Sequence, residues 1–427
     1  MKIKQFKARE ILDSRGNPTV EAEIELEDGS RARGISPSGA STGEKEAVEL
    51  RDGDPKRYNG KGVEKAVGQL NAEIAGTLNG CAFETQAVFD QFLIDADGTV
   101  NKSRLGANAI LAASIAFARV QSVAKNIPLY RQLIERDSYV MPVPCMNVIN
   151  GGRHADNNLD FQEFMIAPHH APNFKESIRM GEEVFHSLRT LLKSKGYYTG
   201  VGDEGGFAPN LSSNEEAMDV ILEAIHKAGY QPGTDISVCI DPATSEMWQN
   251  GKYVFYKSDQ RAVSTEEMIM LWDKWIKQYP IVLLEDGLGE NDWLGWKRMT
   301  AALGNKVELV GDDIFCTNPA IIAEGIKEGI GNSVLIKLNQ IGTITETLEA
   351  VKLAQGNNYN CFISHRSGET EDTTIADLVV ATNAGHIKTG SGCRSERIAK
   401  FNQLLRIEEE LGNKASFAGL KTFKTGI

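Results

Sequence analysis

Residues 237–241 read SVCID, 281–285 IVLLE, 307–313 VELVGDD, 334–337 VLIK, 361–365 CFISH and 386–388 HIK. Each is a short apolar run that ends in a charged or metal-ligating side chain: Asp241, Glu285, Asp312, Lys337, His365 and Lys388. The gaps between those six residues are 44, 27, 25, 28 and 23 positions. A strand, a loop, a helix and a return loop fit that period. A chain that repeats in this way predicts a barrel of parallel strands, and barrel enzymes keep their chemistry at the carboxyl ends of the strands.

Upstream of residue 236 the alternation is less regular. Two successive strands are predicted at 143–149 and 161–166, then two helices near 174–195 and 214–228, with a glycine-rich segment at 200–206 between them. The barrel is therefore expected to start irregularly. Residues 1–138 read as a separate α+β domain. Val20, Ala22, Ile24 and Leu26 alternate with Glu21, Glu23, Glu25 and Glu27, the period of a strand with one solvated face. Asp28-Gly29 marks a hairpin and 31–35 the returning strand. Helical patterns follow at 44–51, 62–78, 85–94 and 105–125. Pro142 and Pro144 force an extended path at the junction, so the catalytic barrel is placed at 139–427. The last helix is expected at 396–411.

The chain has 427 residues and a net charge of −12, which argues against a nucleic-acid backbone as its main partner. Its six cysteines are scattered without a CxxC pair and read as free buried thiols of a reducing cytoplasm. Residues 1–6 contain no apolar leader, so no signal peptide is expected. The most apolar stretch, 107–120, is too short and too interrupted to span a bilayer and reads as a buried helix.

Asp241, Glu285 and Asp312 end three consecutive strands and should converge. Three like charges in one place repel unless a cation lies among them, and an all-oxygen set suits Mg²⁺ better than zinc. Any one of them alone would pass for a solvated or helix-capping acid. Lys337 would face the same pocket. Burial and neighbouring cations would lower its pKa towards that of a usable base, or it could simply pair with the carboxylates. His365-Arg366-Ser367 and Lys388 end the last two strands, a recurrent phosphate-binding position in barrels, so the implied substrate is small and anionic. Glu163, Glu204 in its glycine-rich turn, and His154 in the glycine loop after the first barrel strand are further candidates. Gly39-Ala40-Ser41-Thr42-Gly43 matches the GxSxG elbow of serine hydrolases. However, Pro37 interrupts the sharp turn such an elbow needs, and a loop that closes over a polar ligand fits better. A non-enzymatic binding protein on a barrel would explain the fold but not a full set of ligands, base and acid.

The segments SGASTG (38–43), NGG-x-H (150–154), QEFMIAP (162–168), VGDEGG (201–206), LLEDGL (283–288), GDD (311–313), LIKLNQIG (335–342), SHRSGETEDT (364–373) and IKTG (387–390) resemble those of enolase, and the likeness covers nearly the whole chain. The resemblance implies an irregular (β/α)8 barrel behind an α+β domain, and the reversible dehydration of 2-phosphoglycerate to phosphoenolpyruvate in glycolysis and gluconeogenesis. Carried over by position, Lys337 is the base at C2, and Glu204, assisted by Glu163, is the acid at the C3 hydroxyl. Asp241, Glu285 and Asp312 hold one Mg²⁺, and Ser41 helps to hold a second that arrives with substrate. Arg366 and Ser367 contact phosphate, Lys388 contacts carboxylate, and His154, Gln162 and His365 complete the pocket. A Lys or His base with one or two Mg²⁺ ions is the known pattern of this superfamily and belongs to the resemblance, not to a deduction from this chain.

Gly287 and Asp156-Asn157-Asn158 depart from what some family members carry, but at no matched catalytic position. The resemblance further implies a homodimer, in some lineages an octamer, with intersubunit pairs matching Arg9–Glu183 and Glu21–Arg406. It implies a cytoplasmic protein, although family members also occur on cell surfaces or secreted. The terminal Thr425-Gly426-Ile427 lacks the lysine associated with one such surface role.

Overall fold

The computed structural model describes residues 1–424, so the reading of Thr425-Gly426-Ile427 lies outside it. The small domain opens with an antiparallel sheet of Ile3–Leu12, Pro18–Leu26 and Arg31–Ile35. The apolar half of the alternation is buried as expected. The glutamate half is less solvated than expected: Glu21 is only 3% exposed. It lies in a ladder of cross-strand charge with Arg9 and with Arg33, whose guanidinium is 3.8 Å away, while Glu25 is paired with Lys4 and Arg31.

Helix Ala107–Lys125 lies on the Pro18–Leu26 and Arg31–Ile35 strands and is buried along most of its length. The expectation that this stretch is too short to span a bilayer is corrected, since among the described residues it is the one helix long and apolar enough by length and composition; 78% of that window is buried inside the fold, as a buried helix should be. Gly34 lets the helix come close: a Cβ there would stand 2.4 Å from the Ala116 backbone nitrogen.

The helix expected at 44–51 does not form. Its backbone groups are spent on distant partners instead. Ala47 N donates to Gln340 O at 2.8 Å, Val48 N to Asn101 O at 2.9 Å and Leu50 N to the Asn108 side chain at 3.1 Å, while Val48 O accepts from Ala107 N at 2.7 Å. Local periodicity lost to tertiary hydrogen bonding. The other three helical patterns of this domain are present, the first of them as Glu64–Gln69 continuing through a π turn at Leu70–Ile74 into Ala75–Leu78.

Eight strands close the barrel: Val143–Asn150, Glu163–Pro168, Ile236–Asp241, Ile281–Glu285, Glu308–Gly311, Ser333–Ile336, Asn360–Ser364 and Gly385–Lys388. The expectation of uniformly parallel strands is corrected at one of them. Glu163–Pro168 runs antiparallel to both neighbours. The twelve residues between it and Val143–Asn150 form a glycine loop with one 3-10 turn at Gly152–His154, and no crossover helix returns the chain parallel. The reversal has a consequence for the site. Glu163 begins its strand, yet pairs with Asp241 and Asn150, the last residues of the flanking strands, so it stands at the same barrel end as the other acids. The long gap before Glu285 is filled by a small antiparallel sheet, Trp248–Gln249, Lys252–Val254 and Ala262–Val263, inserted ahead of helix Thr265–Gln278.

The barrel interior is packed by Val143, Cys145, Met165, Cys239, Leu283, Val310, Leu335 and Phe362. At the end of the barrel remote from Asp241 and Glu285, Glu308 meets the His386 ring at 2.8 Å, both fully buried, and Phe423 from the carboxyl-terminal segment closes the opening. The cysteines are free, four of them buried, but Cys81 is exposed and Cys393 only partly covered, so the expectation of uniformly buried thiols is corrected there.

The small domain grips the barrel at the start of helix Ile344–Gly356. Asp90 accepts from Thr345 N at 2.9 Å and from its hydroxyl at 2.6 Å, Ser114 Oγ accepts from Ile344 N at 3.0 Å, and Lys102 pairs with Glu346 at 2.8 Å. Burial pushes the Asp90 carboxyl up to about 6, against hydrogen bonds that favour its ionised form. An acid raised in the folded state holds its proton after the unfolded chain, with a value near ~3.9, has released it. Stability then falls as pH rises from about 4 to about 6, by about 3 kcal/mol at ~1.36 kcal/mol per unit. Asp90→Asn removes that slope. Whatever its offset at pH 4, the variant is expected to gain on wild type towards pH 6.5, read as a converging or crossing urea midpoint.

Candidate active site

A cavity of about 20 Å³ lies at the carboxyl end of the barrel, room for one or two waters. All the residues singled out from the sequence line it, save Glu285, which lies one contact behind. Asp286 and Asp313 also line it, and sequence reasoning missed their part. Asp286 follows Glu285 with φ +39° and accepts the backbone N–H groups of Asp312 at 2.9 Å and Asp313 at 3.1 Å, a local turn that no periodicity announces.

The expected convergence of Asp241, Glu285 and Asp312 takes a particular form. Lys388 Nζ sits among the acids, 2.7 Å from Glu285, 3.1 Å from Glu163 and 3.4 Å from Asp241. Asp312 instead meets Lys337 Nζ at 2.5 Å. Asp286, Asp312 and Asp313 bring their ligand atoms within 4.8 Å of one another, and so do His154, Glu163 and Glu204. Burial and the charge of Asp241 push Glu285 well up, and one of its oxygens, Oε2, has no hydrogen-bond partner in the protein. Burial alone would lower Lys388, but Glu163, Glu285 and Asp241 outweigh it and hold the ammonium charged. An all-oxygen set with an orphaned buried carboxylate oxygen fits a hard divalent cation.

Of the two expectations for Lys337, pairing with a carboxylate is what this arrangement shows, and the lowered pKa is not. Burial, Arg366 and Lys388 all push it down, but Asp312 outweighs them and the ammonium is favoured. Burial likewise would raise Asp312, and Lys337 holds it down instead.

Glu163 and Glu204 are buried against each other, and two carboxylates in contact share a proton. Burial and the neighbouring Glu204 push Glu163 well up. Burial would raise Glu204 too, but His154 and His365 outweigh it and hold it well down. A proton held by the pair is therefore favoured on Glu163 over Glu204. His365 is itself brought down to about 4 by burial, so it is neutral at pH 7. Its tautomer follows from its partners. Arg397 donates to Nδ1 at 2.6 Å, which leaves the ring hydrogen on Nε2, facing Glu204 at 3.5 Å. Asn147 supplies a second donor to Glu204 at 3.1 Å. Arg397, fully buried, also holds the carbonyls of Arg366 and Ser367 at 2.5 Å each. It lies on the last helix, expected from the sequence at 396–411 with no role in the site, so its part was not legible. His154 Nε2 reaches the Ser367 hydroxyl at 3.2 Å, while its Nδ1 faces Glu163 and Glu204 at 3.6 Å each.

Ser41 belongs to a loop latched over the cavity. Arg366 donates to Ser41 O at 3.1 Å and pairs with Glu46 at 3.0 Å. The loop backbone passes so close that a Cβ on Gly39 would stand 2.0 Å from the Arg366 guanidinium. The residues around Ser41 form no strand-to-helix elbow, and among the described residues its hydroxyl has no histidine partner, so the hydrolase geometry is missing.

An eight-stranded barrel with a buried, highly charged cavity at its carboxyl end defines a barrel enzyme that acts on a small polar substrate. Residues 3–133 match the family description "Enolase, N-terminal domain" and residues 138–426 match "Enolase, C-terminal TIM barrel domain". The chain is 65% identical over 424 residues to Enolase 1 of Chlorobaculum tepidum, covering 99% of each. The chain belongs to the enolase family, and with it to the phosphopyruvate hydratases.

Breaking a buried ion network by removing one partner typically costs about 3–5 kcal/mol. Lys388→Met strips Glu163, Asp241 and Glu285 of their common counter-ion. In EDTA-treated protein it is expected to lower the urea midpoint by an amount of that order, whereas Lys252→Met, at an exposed position, leaves the midpoint unchanged.

Proposed function

We propose that this enzyme catalyses the Mg²⁺-dependent, reversible dehydration of 2-phosphoglycerate to phosphoenolpyruvate, the step shared by glycolysis and gluconeogenesis, in the cytoplasm. The observation that carries the reading is the juxtaposition of Lys337 with a set of buried acids around one cavity. Residues 139–427 would supply base, acids and anion-binding groups, and residues 1–138 the Ser41 loop that shuts out water.

Asp241, Glu285 and Asp312 would hold one Mg²⁺, and Ser41 would help to hold a second that arrives with substrate. Bound there, the ions supply positive charge where the substrate carboxylate gains negative charge as its neighbouring C–H bond breaks. Lys337 takes the C2 proton at Nζ. With a cation held by Asp312, Lys337 would lose the counter-ion that keeps it protonated. Burial beside Arg366 and Lys388 then favours the free amine. Lys388 neutralises the substrate carboxylate. Glu204 delivers a proton to the departing C3 hydroxyl, and Glu163, where a proton held by the pair is favoured, is its source. Arg366 and Ser367 grip the phosphate. The cavity is too small for phosphoglycerate, so Arg366 must first exchange Ser41 O and Glu46 for phosphate oxygens. His154 and Gln162 present unpartnered buried polar atoms, Nδ1 and Oε1, suited to a polar ligand.

The protein is proposed to act as a homodimer, with octamers as a further assembly. Within the single chain Arg9 meets Glu21, and Glu183 meets Arg179 at 2.8 Å, so intersubunit pairing of Arg9 with Glu183 would redistribute these charges.

Ultraviolet absorbance of the enol product, followed as protein meets 2-phosphoglycerate, is expected to grow with Mg²⁺ and to stay flat with EDTA. Lys337→Ala should reduce turnover by about 10²–10⁴-fold, the usual contribution of a general base. No signal from folded, Mg²⁺-loaded wild type would overturn the lyase reading. Size-exclusion with light scattering should return a multiple of the 46.7 kDa protomer; that protomer mass alone would sink the dimer.

A further inference from the structure

Gln340 lies in the short helix Leu338–Ile341 that follows Lys337, and it is 1% exposed. It is the hub of a closed ring of hydrogen bonds. Lys337 N donates to Thr317 Oγ1 at 2.9 Å. Thr317 Oγ1 gives its one proton to Gln340 Oε1 at 2.7 Å. Gln340 Nε2 donates to Asp312 Oδ1 at 2.7 Å. Asp312 Oδ2 accepts from Lys337 Nζ at 2.5 Å, which returns the ring to its start. The same amide nitrogen reaches Glu46 Oε1 at 3.3 Å. Glu46 holds Arg366 and accepts from Gly43 N in the Ser41 loop at 3.1 Å.

The chemistry of this position admits few side chains. Two ionised carboxylates accept only, and a hydroxyl with its proton pointed inward needs an acceptor. An amide offers both in one plane. A glutamate would bring a third negative charge, and an apolar residue would leave Asp312 Oδ1 without this donor and the Thr317 hydroxyl only the longer contact to Leu335 O at 3.3 Å. An independent sign of constraint is Thr317 itself. It is fully buried and has φ +53°, a left-handed conformation that a β-branched residue adopts only when its surroundings impose it. Strain of this kind gathers at functional sites.

We propose that Gln340 is a positioning residue. It fixes the carboxylate plane of Asp312 relative to both the backbone and the ammonium of Lys337, and through Glu46 it ties that geometry to the loop that covers the site. The proposal rests on reading Asp312 as a cation ligand and Lys337 as the base. Outer partners of metal ligands typically contribute about 10–100-fold in metal affinity or activity.

The test is Gln340→Met, close in size but without the amide, measured two ways. Calorimetric titration with Mg²⁺ alone, without substrate, is expected to show affinity about 10–100-fold weaker than wild type. Steady-state kinetics at saturating Mg²⁺ should show kcat falling by a similar factor while KM for 2-phosphoglycerate stays within about threefold, since Gln340 does not line the cavity. Thr317→Val and Thr317→Ser provide a second pair should Gln340→Met fail to fold. Valine is expected to reproduce the loss, and serine, which keeps the hydroxyl, to restore it. Wild-type Mg²⁺ affinity and kcat in Gln340→Met, or in Thr317→Val, would overturn the proposal. A wild-type protein that binds Mg²⁺ but forms no product would overturn the lyase reading, while the calorimetric comparison would still decide whether Gln340 holds Asp312.

Discussion

The constraint on which the structure turns is the burial of several carboxylates at one end of a barrel. Glu163, Asp241, Glu285 and Asp312 are each at most 6% exposed, and isolated charges so buried would be prohibitively unfavourable. The protein answers with two lysines from strand ends. Lys388 bonds to three of the acids, and Lys337 pairs with the fourth. This makes the site a stable charged network and also a poised one. Each lysine is bonded to groups that a cation or an anionic substrate could claim, and each would then be released for chemistry or substrate binding.

The same logic extends to the proton inventory. Burial pushes Glu163 up while the neighbouring histidines hold Glu204 down, and the neutral His365, its tautomer fixed by Arg397, faces Glu204 with its ring N–H. The site thus pushes the proton affinities of two acids in opposite directions within a few ångströms.

The small domain is more than a cap. It reaches the barrel at the Ser41 loop through Arg366 and Glu46, and at the start of helix Ile344–Gly356 through Asp90, Lys102 and Ser114. Both attachments flank the segment from Lys337 to Gly342. The base is therefore held from two sides by a domain that contributes no residue to the barrel wall.

The barrel was legible because its strands are short apolar runs at a regular period, and burial on both faces of a strand leaves that mark in any sequence. The identities of the strand-end residues were legible for the same reason: position in the period fixes which side chains face the mouth. What the sequence could not carry were features that depend on partners distant along the chain. Residues 44–51 have a helical pattern, but their backbone groups are claimed by Gln340, Asn101 and Asn108, so no helix forms. Glu163 joins the site only because its strand runs backwards. Lys337 is held as an ammonium by Asp312 rather than freed by burial, and Arg397 and Gln340 act through bonds to carbonyls, rings and acids that no spacing reveals. Periodicity is a property of neighbours along the chain, whereas protonation and hydrogen bonding belong to neighbours in space, and only the folded chain brings those together.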